Sequence, residues 1–67
     1  MKILVSNRYE NIKVEYDALG YDPHMAIETE NGYEPVFHII LPNNETATFR
    51  KSQWELYEDA GLTRRLQ

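Results

Sequence analysis

The stretch 49-FRKSQWELYEDAGLTRR-65 decides the architecture, because it can be a nucleic-acid contact surface or a capped helix whose charges sit where helix ends want them. Read as a helix, it has a start and a stop. Ser52 with Glu55 three residues on has the pattern of a capping box. Trp54, Leu56, Tyr57 and Ala60 then fall within one arc of about 160° at 100° per residue. Glu55, Glu58 and Asp59 occupy the opposite face. Gly61 suits the left-handed position after a helix. Arg64 and Arg65 lie beyond it, near the negative end of the helix dipole. The spacing predicts a C-terminal helix over residues 52–60, with Trp54 anchoring it on a sheet. Arg50 and Lys51 fit this picture less well, since they sit at the positive end of the helix, where cations gain nothing.

Working back along the chain, ETATFR (residues 45–50) reads as a strand with Ala47 and Phe49 on one face. Before it, MAIETENGYEPVFHIIL (residues 25–41) carries the clearest hairpin signal. Asn-Gly is the preferred pair for a two-residue type I′ turn, because both central positions need positive φ. Residues 25–30 and 33–41 are expected to pair around it. Pro35 lacks an N–H, so that side is expected to meet an edge or a bulge. VFHIIL is apolar on both faces, the mark of a buried strand. GYDPH (residues 20–24) is expected to be a turn or loop, since Asp22 precedes a proline.

The first third is less decisive. KILVS reads as a short strand. In NRYENIKVEYDALG (residues 7–20), Ile12, Val14 and Tyr16 alternate with charged residues, which is strand periodicity. Asn7 with Glu10 also resembles a capping box, and a helix would align Tyr9, Ile12, Tyr16 and Leu19. Val14 falls off that stripe, and β-branched residues favour a strand. A hairpin over residues 2–17 is therefore expected. The fold class expected is α+β. It would comprise a small antiparallel β-sheet of four to five strands, a central Asn-Gly hairpin and one C-terminal α-helix. The core is expected to include Ile3, Val5, Ile27, Val36, Ile39, Leu41, Phe49, Trp54 and Tyr57.

Sixty-seven residues are enough for one small domain, of marginal stability. With no cysteine, neither a disulfide nor a thiolate metal site can add to it, which suits a reducing, cytoplasmic setting. A homodimer or a larger partner is the remaining source of extra burial. A hydrophobic fraction of 42% argues against disorder, and no apolar run approaches a membrane span. MKILV is too short for a signal peptide.

Catalytic chemistry is hard to assemble. His24 and His38, fourteen positions apart in the sequence, match no standard zinc-ligand spacing. Paired acids need a cleft that separates their pKa values, and a chain this short has little room for one. No phosphate-binding, dinucleotide-binding or calcium-binding motif is present. No enzyme activity, metal or cofactor is expected.

Three binding roles remain. The net charge of −4 argues against general affinity for nucleic acid, but its distribution is uneven. Residues 23–48 contain Glu28, Glu30, Glu34 and Glu45 and no lysine or arginine. Five tyrosines and one tryptophan are residue types enriched at interfaces. Tyr33 flanked by Glu28, Glu30 and Glu34 at a hairpin tip would suit a basic groove on a partner protein. The alternative for this patch is a solvated edge that resists aggregation. Compact cysteine-free chains of this sort are common in phages and mobile elements, where many bind a host enzyme. The leading expectation is thus an inhibitor or adaptor, with acidic mimicry of nucleic acid as a narrower variant. The second is a nucleic-acid-binding module using Arg50, Lys51, Arg64 and Arg65 with exposed aromatics for stacking. The third is a subunit of a larger assembly.

Overall fold

A computed structural model describes residues 1–58 and 65–66. These residues form six strands and no helix: β1 (Lys2–Asn7), β2 (Lys13–Asp17), β3 (Gly20–Thr29), β4 (Gly32–Ile40), β5 (Thr46–Arg50) and β6 (Trp54–Tyr57). They make two antiparallel three-stranded sheets, ordered β2-β1-β6 and β3-β4-β5. The chain crosses between the sheets twice. Only Ala18 and Leu19 separate β2 from β3, and only residues 51–53 separate β5 from β6. Pairing stays within each sheet, and only the chain itself joins β2 to β3 and β5 to β6. The two crossings are the corners of a small two-layer β-sandwich.

The expected helix is not there. Residues 51–53 form a single turn, closed by Gln53 N donating to Arg50 O at 3.0 Å. The next four residues are β6, antiparallel to β1 with Leu56 opposite Val5 and Trp54 opposite Asn7. Ala60 and Gly61, on which the helix also relied, lie outside the described residues. The same apolar positions serve either period: Trp54 and Leu56 alternate with Glu55 and Tyr57 as strand residues do. Tertiary need decides between them. β1 presents Ile3, Leu4 and Val5, all buried, and without β6 it would be an apolar edge strand inviting aggregation. An isolated helix of about nine residues has little intrinsic stability to set against that.

The N-terminal hairpin forms as expected, with Val5 opposite Val14 and Ile3 opposite Tyr16. The capping pattern at Asn7 is real but closes a loop. Asn7 Oδ1 accepts from Tyr9 N at 2.9 Å and Glu10 N at 3.0 Å, while Asn7 N donates to Ile12 O. GYDPH is part of β3 rather than a loop. The register shifts between Asp22 and Met25, so Pro23 sits at a bulge on an edge strand, where a missing N–H costs no ladder bond. Asp22 Oδ1 accepts from His24 N there.

The central hairpin forms with its turn one residue early. Thr29 pairs with Gly32, so Glu30 and Asn31 are the turn residues. Among the described residues only Gly32 (φ 113°) and Asn44 (φ 66°) have positive φ. A type I′ turn needs positive φ at both central residues. The chain instead keeps Glu30 and Asn31 at negative φ and uses Gly32 for the left-handed step, the other common hairpin solution. Pro42, Asn43 and Asn44 make the next turn, with Asn44 N donating to Leu41 O.

The core joins the sheets. Ile3, Val5 and Leu56 from one meet Phe37 and Ile39 from the other, with Ala18 at the corner. Phe49 links them further, with its ring centroid 5.0 Å from Trp54, 5.9 Å from Phe37 and 6.1 Å from Tyr16. Of the expected core, Ile3, Val5, Val36 and Ile39 are buried. Ile27, Leu41, Phe49, Trp54 and Tyr57 are half-buried. Leu4, Ala18, Phe37 and Leu56 complete the buried set. No described helix is long and apolar enough to cross a membrane.

Candidate functional site

β5 stops at Arg50, opposite Val36, whereas β3 and β4 continue to Thr29 and Gly32. The tip of this hairpin is therefore a two-stranded arm. Pro35 marks where it leaves the sheet. Its carbonyl accepts from Lys51 N at 3.1 Å, just past the end of β5. Its missing N–H thus falls where no further β5 residue could accept it, as the sequence anticipates.

The arm divides the acidic residues between its faces. Glu28 lies directly opposite Tyr33, and Ile27 opposite Glu34. Opposed residues share a face and successive residues alternate, so Glu28 and Tyr33 occupy one face and Glu34 the other. Glu30 sits in the turn, whereas the expected pairing of residues 25–30 made it a strand residue. Thr29 Oγ1 fixes that turn, donating to Gly32 O and accepting from Asn31 N. Tyr33 is 77% exposed. Neither Glu28 nor Glu30 forms an ion pair with a described residue.

Glu34 is occupied differently. Its Oε2 lies 3.6 Å from Arg50 Nε, and its Oε1 accepts from Ser52 Oγ at 3.1 Å. The structure thus joins one residue of the expected acidic patch to one of the expected basic site. It also uses Ser52 as a link to β4 instead of a helix cap. Lys51 is half-buried and bound through its backbone, its carbonyl accepting from Arg8 Nε at 3.0 Å. Arg65 Nη1 pairs with Glu55 Oε2 at 3.2 Å. Arg64 lies outside the described residues. Arg50 and Arg65 are therefore each paired with a carboxylate, whereas Lys51 is tied through its backbone.

Arg8, which sequence reading did not single out, and Glu55, which it read as a capping residue, organise this end of the molecule. Arg8 N donates to Gln53 O at 2.8 Å, and its guanidinium reaches both Lys51 O and, at 3.8 Å, Glu55. Glu55 gathers Arg8, Arg65 and the hydroxyl of Tyr57, which donates to Oε2 at 3.1 Å. Half-burial and that carboxylate raise the Tyr57 pKa above its ordinary 10.0, with Arg65 and Arg8 pulling the other way. The helical reading put Glu55 on a solvent face, which hid this role. Tyr9, 78% exposed, donates its hydroxyl to Ser52 O at 3.2 Å. The loop after β1 and the arm thus both rest on residues 51–53.

No set of acid or histidine side chains among the described residues is placed to hold a metal. Asp22 and His38 face each other across β3 and β4, while His24 points from the bulge and is exposed. No pocket is present among the described residues, and the molecule is only 16 Å across its shortest axis. That thickness leaves room for one layer of side chains between the sheets. No family model, curated protein or solved structure matches the chain.

Proposed function

We propose that this chain is a protein-binding module, an inhibitor or adaptor, whose contact surface is the Tyr33 and Glu28 face of the β3–β4 arm. The observation that carries the reading is the position of Tyr33. A large amphipathic ring stands 77% exposed on a two-stranded arm, opposite a carboxylate that no described cation neutralises. Tyrosine in such a setting offers contact area at little entropic cost, and Glu28 with Glu30 would favour a basic partner surface. Small β folds host many unrelated functions, so the site and not the fold supports this choice. The nucleic-acid reading draws less support, because Arg50 is held by Glu34 and Arg65 by Glu55.

The test is affinity capture with the immobilised chain, after nuclease treatment, beside a Tyr33→Ser, Glu28→Lys variant. The expected result is a protein retained by the parent chain and lost by the variant. Retention by both chains removes this face from the interface. Retention abolished by nuclease alone replaces the reading with nucleic-acid binding.

A further inference from the structure

We propose that the outer edge of β3, at Ala26 and Glu28, accepts an extended basic segment of a partner protein as an added strand. The proposal rests on the protein-binding reading and specifies how the partner is held.

The register fixes which backbone groups are available. Ile40 O accepts from Leu19 on the β3 side, and Pro35 O from Lys51 on the β5 side. Even-numbered residues of β4 therefore address β3, and odd-numbered ones address β5. Their partners Met25, Ile27 and Thr29 turn inward to Val36, Glu34 and Gly32. Ala26 and Glu28, lying between them, direct N–H and C=O outward. β3 is the last strand of its sheet, and no described backbone group outside the sheet bonds either residue.

Protection of this edge is uneven. Its first half carries Pro23 and the bulge between Asp22 and Met25, devices that stop strands from pairing edge to edge. Its second half has neither. It presents Ala26, a small exposed side chain, and no lysine. Because β5 has ended, the arm is two-stranded here, and a two-stranded ribbon gains most from a third strand. Backbone bonds would supply affinity and alternate side chains specificity, as in other cases of strand addition.

Charge selects the occupant. Glu28 projects from the edge and Glu30 from the adjoining turn, both exposed. Residues 23–48 contain no lysine or arginine to answer them. A segment with lysine or arginine at alternate positions would set cations beside Glu28 on Tyr33's face. A second copy would instead bring two sets of Glu28 and Glu30 to one seam, which like charge disfavours.

The experiment is amide hydrogen exchange on the full chain, with a short peptide of alternating lysine and valine as the probe and one of alternating glutamate and valine as its control. The basic peptide is expected to slow exchange at Ala26 and Glu28 by about tenfold or more, and the acidic one to leave both unchanged. Ala26→Pro removes an outward N–H without touching the β4 ladder, and should abolish the protection. Glu28→Lys, which alters no backbone group, should weaken it several-fold and guards against a folding defect in the first variant. Protection that survives Ala26→Pro overturns strand addition in favour of side-chain docking and leaves the protein-binding reading standing. Equal protection by both peptides, or none by either, overturns the proposal. So does protection that grows with protein concentration alone, which identifies a second copy as the occupant. The capture experiment with the Tyr33 and Glu28 variant separately decides the broader reading.

Discussion

Glu34 ties Arg50 to the base of the arm: Oε2 approaches Nε to 3.6 Å, while Oε1 accepts from Ser52 Oγ at 3.1 Å. One carboxylate thereby connects β4, the last residue of β5 and the turn that crosses to the other sheet. Arg50 is about half exposed, so solvent screens the pair, and such pairs contribute about 0–1 kcal/mol. Glu34→Gln is expected to lower stability by less than about 1 kcal/mol in urea denaturation. Its larger effect should be electrostatic: a retained, salt-sensitive increase in weak binding to polyanions such as heparin, because Arg50 loses its counter-charge. An unchanged elution from heparin would show that Glu34 does not neutralise Arg50 in solution.

Much of this was legible in the residues, for a stated physical reason in each case. The alternation of Ile12, Val14 and Tyr16 located β2, and the doubly apolar VFHIIL located the buried β4, because burial on a sheet leaves a short-range pattern. The position of Pro35 followed from its missing donor. What did not follow was anything set by long-range pairing. WELY satisfies a helical stripe and a strand alternation equally, and only β1's exposed edge selects the strand. Turn register was also beyond local reading, since Asn31 and Gly32 suit two hairpin types. That choice decides whether Glu28 or Glu30 lies directly opposite Tyr33. The Glu34–Arg50 pair joins residues sixteen positions apart in the sequence, and no local signal announces it.

Gly32 holds φ at 113°, a region that L side chains seldom occupy. A Cβ there would meet nothing within 4 Å, so the penalty for Gly32→Ala is conformational and not steric. It is expected to cost about 1–2 kcal/mol. Gly20 also has open space and no positive φ, so Gly20→Ala should be neutral or stabilise by a few tenths to about 1 kcal/mol. Thermal denaturation of the two variants side by side checks this. Equal effects would mean that the turn is not built on Gly32.

Leu56 is fully buried, and its register partner is Val5. Leu56→Ala should cost about 2–5 kcal/mol, a large share of the stability of so small a domain. Glu58→Ala, on a half-buried residue just beyond β6, should cost far less. Exchange at the Leu4 and Ser6 amides should accelerate in the Leu56 variant, because even-numbered β1 residues address β6, as Arg8 N donating to Gln53 O shows, whereas Val5 addresses β2. A loss of stability without faster exchange in β1 would contradict the pairing of β1 with β6.

Tyr57 supplies the pH test. Its phenol is held neutral above the ordinary 10.0 by partial burial first, then by donating to Glu55 and by that carboxylate's charge. A folded pKa above the unfolded one means that the folded state keeps the proton longer. The associated stability is fully present below pH 10, the ordinary value, and is lost as pH rises through the raised folded pKa. In an ultraviolet titration Tyr57 should ionise above the ordinary value, and Tyr57→Phe should delete that step. Glu55→Gln removes the negative charge but leaves Arg8 and Arg65 in place, so the step should move down toward the ordinary value. If it stays where it was, burial alone holds the proton, and Glu55 acts only as an anchor for the two arginines.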